Sequence, residues 1–247
     1  MGLDTKNNIT CVIGKSGSGK TWLIRDLVRG NADFFPGKIF IWGGRANYGS
    51  YYGLHKSQIA VSDLSHLTKK STKKAKIIIW ESSDFDHCLA ALVALSSKGK
   101  VWFVCDEIDR QYKSKNTIIE TIASLVHTGR HELAFDGEGF PTYGVSVVFG
   151  FRRLQNTPND ILSNAHTIYL KKIVKLGDIK TVNREIGEED LDPSLVRSLE
   201  PPNFMRFDDG NFSEESDLFK LKISEDTKEG SVSRAIQTRW EPIREVA

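Results

Sequence analysis

The 247-residue chain predicts an α/β fold, a mostly parallel central sheet flanked by helices. Short apolar runs alternate with helical patterns along its first three quarters. Several of those runs lack in-out alternation, as strands buried on both faces do. With 39% hydrophobic residues, there is ample material for one large α/β domain with an appendage.

The elements follow in order. "ITCVIG" (9–14) reads as a strand, and a helix follows from about 20 to 29. "KIFIWG" (38–43) is a second strand, ending in a loop rich in Gly and Tyr. "KIIIWES" (76–82) is a third. The next helix carries Phe85, Cys88, Leu89, Leu92 and Leu95 on one face, with Gly99 placed to end it. "VWFVCDE" (101–107) is a strand buried on both faces. Thr117 and Glu120 form a capping-box pattern ahead of Ile118, Ile119, Ile122, Leu125 and Val126, one helical stripe. "VSVVFGF" (145–151) and "HTIYLKK" (166–172) are two further strands.

After about Gly187 the texture changes. A core over 1–186 is expected to carry a helix and a hairpin over 187–223, the hairpin around Asp209-Gly210. Residues 224–247 are polar and nonperiodic apart from Val232, Ile236 and Trp240, the composition of a disordered or partner-binding tail.

The formal net charge is only +2, so a nucleic-acid surface has to be a local patch. No stretch reaches the roughly 18–20 apolar residues of a membrane span. "MGLDTKNN" lacks the apolar core of a signal peptide and the Ser/Thr of a myristoylation signal. Cys11, Cys88 and Cys105 share no metal-like spacing, and an odd number of buried thiols fits a reducing, cytosolic setting.

"GKSGSGKT" comprises Gly14, Lys15, Ser16, Gly17, Ser18, Gly19, Lys20 and Thr21, and matches G-x-x-x-x-G-K-[ST] in full. The glycines let consecutive N–H groups face phosphate oxygens, Lys20 reaches the β/γ-phosphates, and Thr21 ligates Mg²⁺. A plain glycine turn would not call for Lys20-Thr21 as well. Asp106 and Glu107 close a buried strand, where Asp106 can hold Mg²⁺ through water and Glu107 can polarise an attacking water. The rival reading, an acid pair starting the next helix, is weak because that helix begins some ten residues later.

With "FVCDEID" and the run "HTGRHELAF…VSVVFGFRRLQNTPNDILSNAHTIYL", the chain resembles the HerA/FtsK superfamily of P-loop ATPases over roughly 9–176. Within it, the look is that of the genome-packaging ATPases of icosahedral, often membrane-containing, viruses. The resemblance implies a RecA-like (ASCE) P-loop NTPase core that uses ATP with Mg²⁺. It also implies a ring, pentamer or hexamer, that pushes viral DNA into a preformed capsid at a vertex. The setting would be the cytoplasm of an infected cell or the packaging vertex of a virion. Arg130, in "HTGRHE", is then the expected finger acting on a neighbouring subunit's nucleotide, and the alternative is a cation closing its own helix. The family's γ-phosphate sensor is a glutamine, whereas here the position falls on Arg152 or Arg153, with Gln155 slightly further on.

Basic residues cluster in "KKSTKK" (69–74), "RQYKSK" (110–115) and "KKIVK" (171–175). Arg110, Lys113 and Lys115 are the expected DNA-backbone contacts, with Tyr112 as an amphipathic tip, although such loops are often only solvated. The alternatives are a cellular HerA-like DNA translocase and a small-molecule phosphoryl transferase, which would be expected to show an arginine-rich lid. A non-hydrolysing switch or tethered assembly protein is a further rival.

Overall fold

The structure is a computed structural model describing residues 8–43, 48–112, 119–128, 132–135, 138–141, 143–155, 157–186, 192–208, 218–222 and 239–242. Its strands are β1 (Ile9–Ile13), β2 (Lys38–Trp42), β3 (Gln58–Val61), β4 (Ile77–Trp80), β5 (Val101–Cys105), β6 (Glu132–Phe135), β7 (Glu138–Pro141), β8 (Val145–Phe151), β9 (Thr167–Leu170), β10 (Phe204–Asp208), β11 (Leu218–Lys222) and β12 (Arg239–Pro242). Its helices are α1 (Lys20–Asn31), α2 (Lys70–Lys74), α3 (Phe85–Ser96), α4 (Glu120–His127), α5 (Asn159–Ser163), α6 (Leu176–Ile186) and α7 (Pro193–Ser198).

One sheet runs β12-β11-β10-β9-β1-β8-β5-β2-β4-β3, and a separate hairpin pairs β6 with β7. From β9 to β3 every neighbouring pair is parallel, whereas β10, β11 and β12 are added antiparallel. The order places β8 between β1, which leads into the glycine-rich loop, and β5, which leads to the acid pair. Those two strands therefore deliver their C-terminal ends to one edge of the sheet, across a single intervening strand.

The lack of alternation in the apolar runs has a direct explanation. Successive side chains enter different cores, one on each face of the sheet. Ile39 and Ile41 lie in the core beneath α1, while Phe40 and Trp42 lie in the other; Ile77 and Ile79 divide from Ile78 and Trp80 in the same way. In β5, Trp102 and Val104 face α1, and Val101, Phe103 and Cys105 face α3 and α4. Each fully buried side chain of this size contributes roughly 1.5–3 kcal/mol, so both faces must be covered for the sheet to persist. Helix α1 covers one face with Leu23, Ile24 and Val28; α3 covers the other with Phe85, Cys88, Leu89 and Leu92. Asp84 caps α3 by accepting from the His87 amide.

Several elements differ from expectation. Strand β5 ends at Cys105, so Asp106 and Glu107 sit just beyond it in a turn. Helix α4 begins at Glu120; Thr117 and Ile118 lie outside the described residues. Between β2 and β4, where only a loop was expected, the chain forms β3 and α2. β10 and β11 pair antiparallel as a hairpin should, with Asp209-Gly210 outside the described residues, and Arg239–Pro242 pairs onto β11 as the outermost strand. Among the described residues no helix is long and apolar enough to cross a membrane.

Candidate nucleotide site

The loop between β1 and α1 turns back on itself through Gly17 (φ 76°) and Gly19 (φ 84°), where a side chain would be strained. A Cβ at Gly14 would lie 2.6 Å from Ser18 Oγ and 2.7 Å from Lys171 Cβ. The loop is anchored at its start: the Gly14 amide donates to Phe151 O (3.1 Å), and the Lys15 amide donates to Lys172 O (2.8 Å). Lys15 and Ser16 are exposed at its rim. Lys20 is buried, and its Nζ donates to Lys15 O at 3.1 Å. Burial lowers the Lys20 pKa, and the nearby carboxylates of Asp106 and Glu107 push it back up.

Thr21, in the first turn of α1, donates its hydroxyl proton to Asp106 Oδ2 at 2.8 Å. That leaves the Thr21 lone pairs free for a cation. Tyr51 donates to the same oxygen at 2.9 Å, and the Glu107 amide donates to Oδ1 at 3.0 Å. Gly150 of β8 passes so close that a Cβ there would collide with Asp106 Oδ1. The glycine is therefore required for β8 to lie beside the acid.

Glu107 has φ 56°, the one described non-glycine residue with positive φ. Such a conformation is held only when its surroundings fix it, and here it follows the Asp106 side chain's grip on the Glu107 amide. The Glu107 carboxylate pairs with Arg110 Nε at 2.9 Å and lies 3.9 Å from Arg152 Nη1. Burial raises its pKa, and Arg110 is the largest influence opposing that rise. Asp109 ties this turn to the end of β8 by accepting from the amides of Arg152 (3.0 Å) and Arg153 (3.3 Å).

The structure thus brings Gly14 to Thr21, Asp106, Glu107 and Arg152 together. Arg153 and Gln155 are exposed. Arg110, expected as a DNA contact, pairs with Glu107 while its side chain stays 44% exposed, because the chain turns in a 3-10 helix (Ile108–Gln111) immediately after Glu107. Tyr112, expected as an amphipathic tip, is buried. Lys113, Lys115 and Arg130 lie outside the described residues. Lys171, first of the "KKIVK" run, is only 2% exposed; its Nζ donates to Pro202 O (3.0 Å) and Asn203 O (2.9 Å). Sequence reasoning missed Tyr51, Asp109 and the burial of Lys171. Only Asp109 had a local signal, as the third acid in "DEID".

The residues fit a triphosphate with a divalent cation. Ser18 Oγ is buried with no hydrogen-bond partner, at the mouth of a cradle that glycines keep open. Among the described residues no three His, Cys, Asp or Glu cluster as a metal cage. One hydroxyl and one carboxylate, Thr21 and Asp106, suit Mg²⁺, which keeps waters and takes substrate phosphates as ligands.

No family model and no curated protein matches the chain. Solved structures do. The genome packaging NTPase B204 of Sulfolobus turreted icosahedral virus 2, in complex with AMPPCP, superposes with a TM-score of 0.62 at 17% identity, covering 83% of this chain and 93% of that one. Its complex with AMP gives 0.63 at 16% identity. B204 of Sulfolobus turreted icosahedral virus, described as a DNA-packaging ATPase, gives 0.61 at 15% identity, over 83% and 94%. The fold is the one these viral NTPases share, a RecA-like P-loop core, as the resemblance of the motifs implies for the fold.

Proposed function

We propose that this chain is an ATP-hydrolysing motor subunit that translocates viral DNA into a capsid. The observation that carries the reading is the 2.8 Å Thr21–Asp106 hydrogen bond, which joins the phosphate loop to the acid strand with Glu107 as its neighbour. Loop amides and Lys20 bind and neutralise the β/γ-phosphates. Thr21 and Asp106 hold Mg²⁺, which when bound offsets charge on the phosphate oxygens. Glu107, its pKa raised by burial, accepts a proton from the attacking water. The two adjacent acids favour hydrolysis, because transfer to a small molecule calls for an acceptor site more than for a water-activating base.

Lys20 is a buried cation beside the phosphate loop, and alone it leaves the γ-phosphate charge incompletely offset. Arg130 of a neighbouring subunit supplies the missing charge in a ring, a contribution worth several orders of magnitude in rate. Arg110, Lys113 and Lys115 contact DNA phosphates without reading sequence.

The test is steady-state ATPase rate against protein concentration, with and without duplex DNA. A rate per subunit that climbs cooperatively with concentration, and again with DNA, supports a site completed between subunits on a track. A rate indifferent to both sinks the motor reading for the isolated chain. Mixing Arg130→Ala subunits into wild type should depress activity more steeply than dilution.

A further inference from the structure

We infer that Tyr51 is a positioning residue for the cation site, holding Asp106 so that a single oxygen position remains for Mg²⁺-bound water. The inference rests on the reading of Asp106 as the Mg²⁺-holding acid. A carboxylate offers about four acceptor positions, two on each oxygen. Thr21 and Tyr51 fill both on Oδ2, at 2.8 and 2.9 Å, and the Glu107 amide fills one on Oδ1. One position on Oδ1 is left. Gly150 packs against that same oxygen, so the carboxylate has no room to swing towards β8.

Tyr51 belongs to the 3-10 turn Tyr48–Tyr51 after β2, and its fully buried ring packs in the core with Ile24, Ile41 and Val104. A phenylalanine would fill that core equally well, so the hydroxyl is what distinguishes the residue. Without it, Oδ2 would regain a free acceptor position, and the carboxylate could present either oxygen. The turn after β2 thereby becomes part of the nucleotide site, although it supplies no ligand to phosphate or metal.

The test titrates N-methylanthraniloyl-ATP into wild type and Tyr51→Phe, with MgCl₂ and with EDTA. In Tyr51→Phe the Mg²⁺-dependent gain in affinity should fall about ten- to a hundredfold, the loss expected for one hydrogen bond to a charged group, while Mg²⁺-free affinity stays unchanged. In an Asp106→Asn background the same substitution should have no effect on that gain, since the coupling partner is altered. An equal loss with and without Mg²⁺, or no loss, overturns the proposal. If Mg²⁺ adds nothing to wild-type affinity, the cation-site reading itself fails, and Tyr51 with it. Should Tyr51→Phe not fold, 3-fluorotyrosine installed at position 51 alone reports instead. Its fluorine resonance should shift when MgCl₂ is added to the nucleotide complex, and a resonance that does not shift overturns the proposal.

Discussion

Arg110 holds the Glu107 carboxylate at 2.9 Å, so the basic stretch following the acid pair is tied to the group that would activate water. The two ends of the pair differ in access: the Arg110 side chain is 44% exposed and that of Glu107 only 11%. A DNA phosphate can therefore reach the arginine without entering the nucleotide site. Any anion that draws Arg110 away leaves Glu107 more basic, because Arg110 is the main influence opposing the burial-raised pKa.

Arg110→Ala should accordingly raise DNA-free ATP turnover. A partly exposed pair is worth at most about 1 kcal/mol, which limits the increase to about fivefold. The same substitution should reduce the salt slope of DNA binding by about one. Turnover measured without DNA, together with binding at several salt concentrations, checks both parts. A drop in DNA-free turnover would mean that Arg110 supports the reaction and does not restrain it.

Glu107→Gln and Lys20→Ala should separate chemistry from binding. Glutamine keeps the shape of Glu107 but cannot take a proton, so hydrolysis should fall about 10²- to 10⁴-fold while nucleotide affinity changes little. Lys20→Ala should lose affinity itself. Burial already disfavours the Lys20 charge, so removing it should not lower the thermal midpoint. Calorimetry on the unliganded protein distinguishes that loss from misfolding.

Two glycines should respond with opposite signs. A methyl at Gly150 would meet the Asp106 carboxylate and come within 3.1 Å of Ile24 Cδ1, so Gly150→Ala should destabilise by about 1–3 kcal/mol and weaken Mg²⁺-nucleotide binding. Nothing lies within 4 Å of a methyl at Gly30, in the last turn of α1. Gly30→Ala should stabilise by roughly 0.5–1 kcal/mol. Urea unfolding of both variants decides the point.

What the sequence disclosed was whatever is local. The phosphate loop is a contiguous spacing, and Asp106-Glu107 follow an apolar run, so both could be read off neighbouring residues. The two-sided sheet was legible for the same reason, since each strand carries its own pattern. Tyr51 was not, because its partner Asp106 is 55 positions away and the Gly- and Tyr-rich loop has no period. Lys171 misled outright. Its run of cations resembles a solvated face, and only the return of the chain at Pro202 and Asn203 provides the carbonyls that bury it. The pairing of Arg110 with Glu107 was hidden for a similar reason: a basic loop and an ion pair have one composition, and only the turn geometry brings the two side chains together.

Lys171 gives a pH signature of that burial. Its pKa is pushed down to about 8 by loss of solvent, against about 10.4 in an unfolded chain. Between those values the unfolded chain holds a proton at this site that the folded chain has released. Stability must therefore rise with pH across that window, and the penalty for charging the buried amine is felt in full below it. The neutral amine still has two hydrogens for the carbonyls of Pro202 and Asn203, so the contacts survive deprotonation. Lys171→Met should abolish this contribution. The difference in unfolding free energy between wild type and variant should shift in favour of wild type by about 2 kcal/mol from pH 7.5 to 9.5, at 1.36 kcal/mol per unit of differential protonation. Urea unfolding at intervals through that range measures it, and taking the difference removes the other lysines whose pKa desolvation lowers, Lys20, Lys38 and Lys76, from the comparison. A difference that does not change with pH would mean that Lys171 keeps its proton on folding. Because Lys171 Cβ and Nζ pack beneath Gly14 and Gly19, nucleotide affinity measured in parallel should weaken in the variant. A loss of affinity at every pH would place the side chain's contribution in supporting the phosphate loop, independent of its charge.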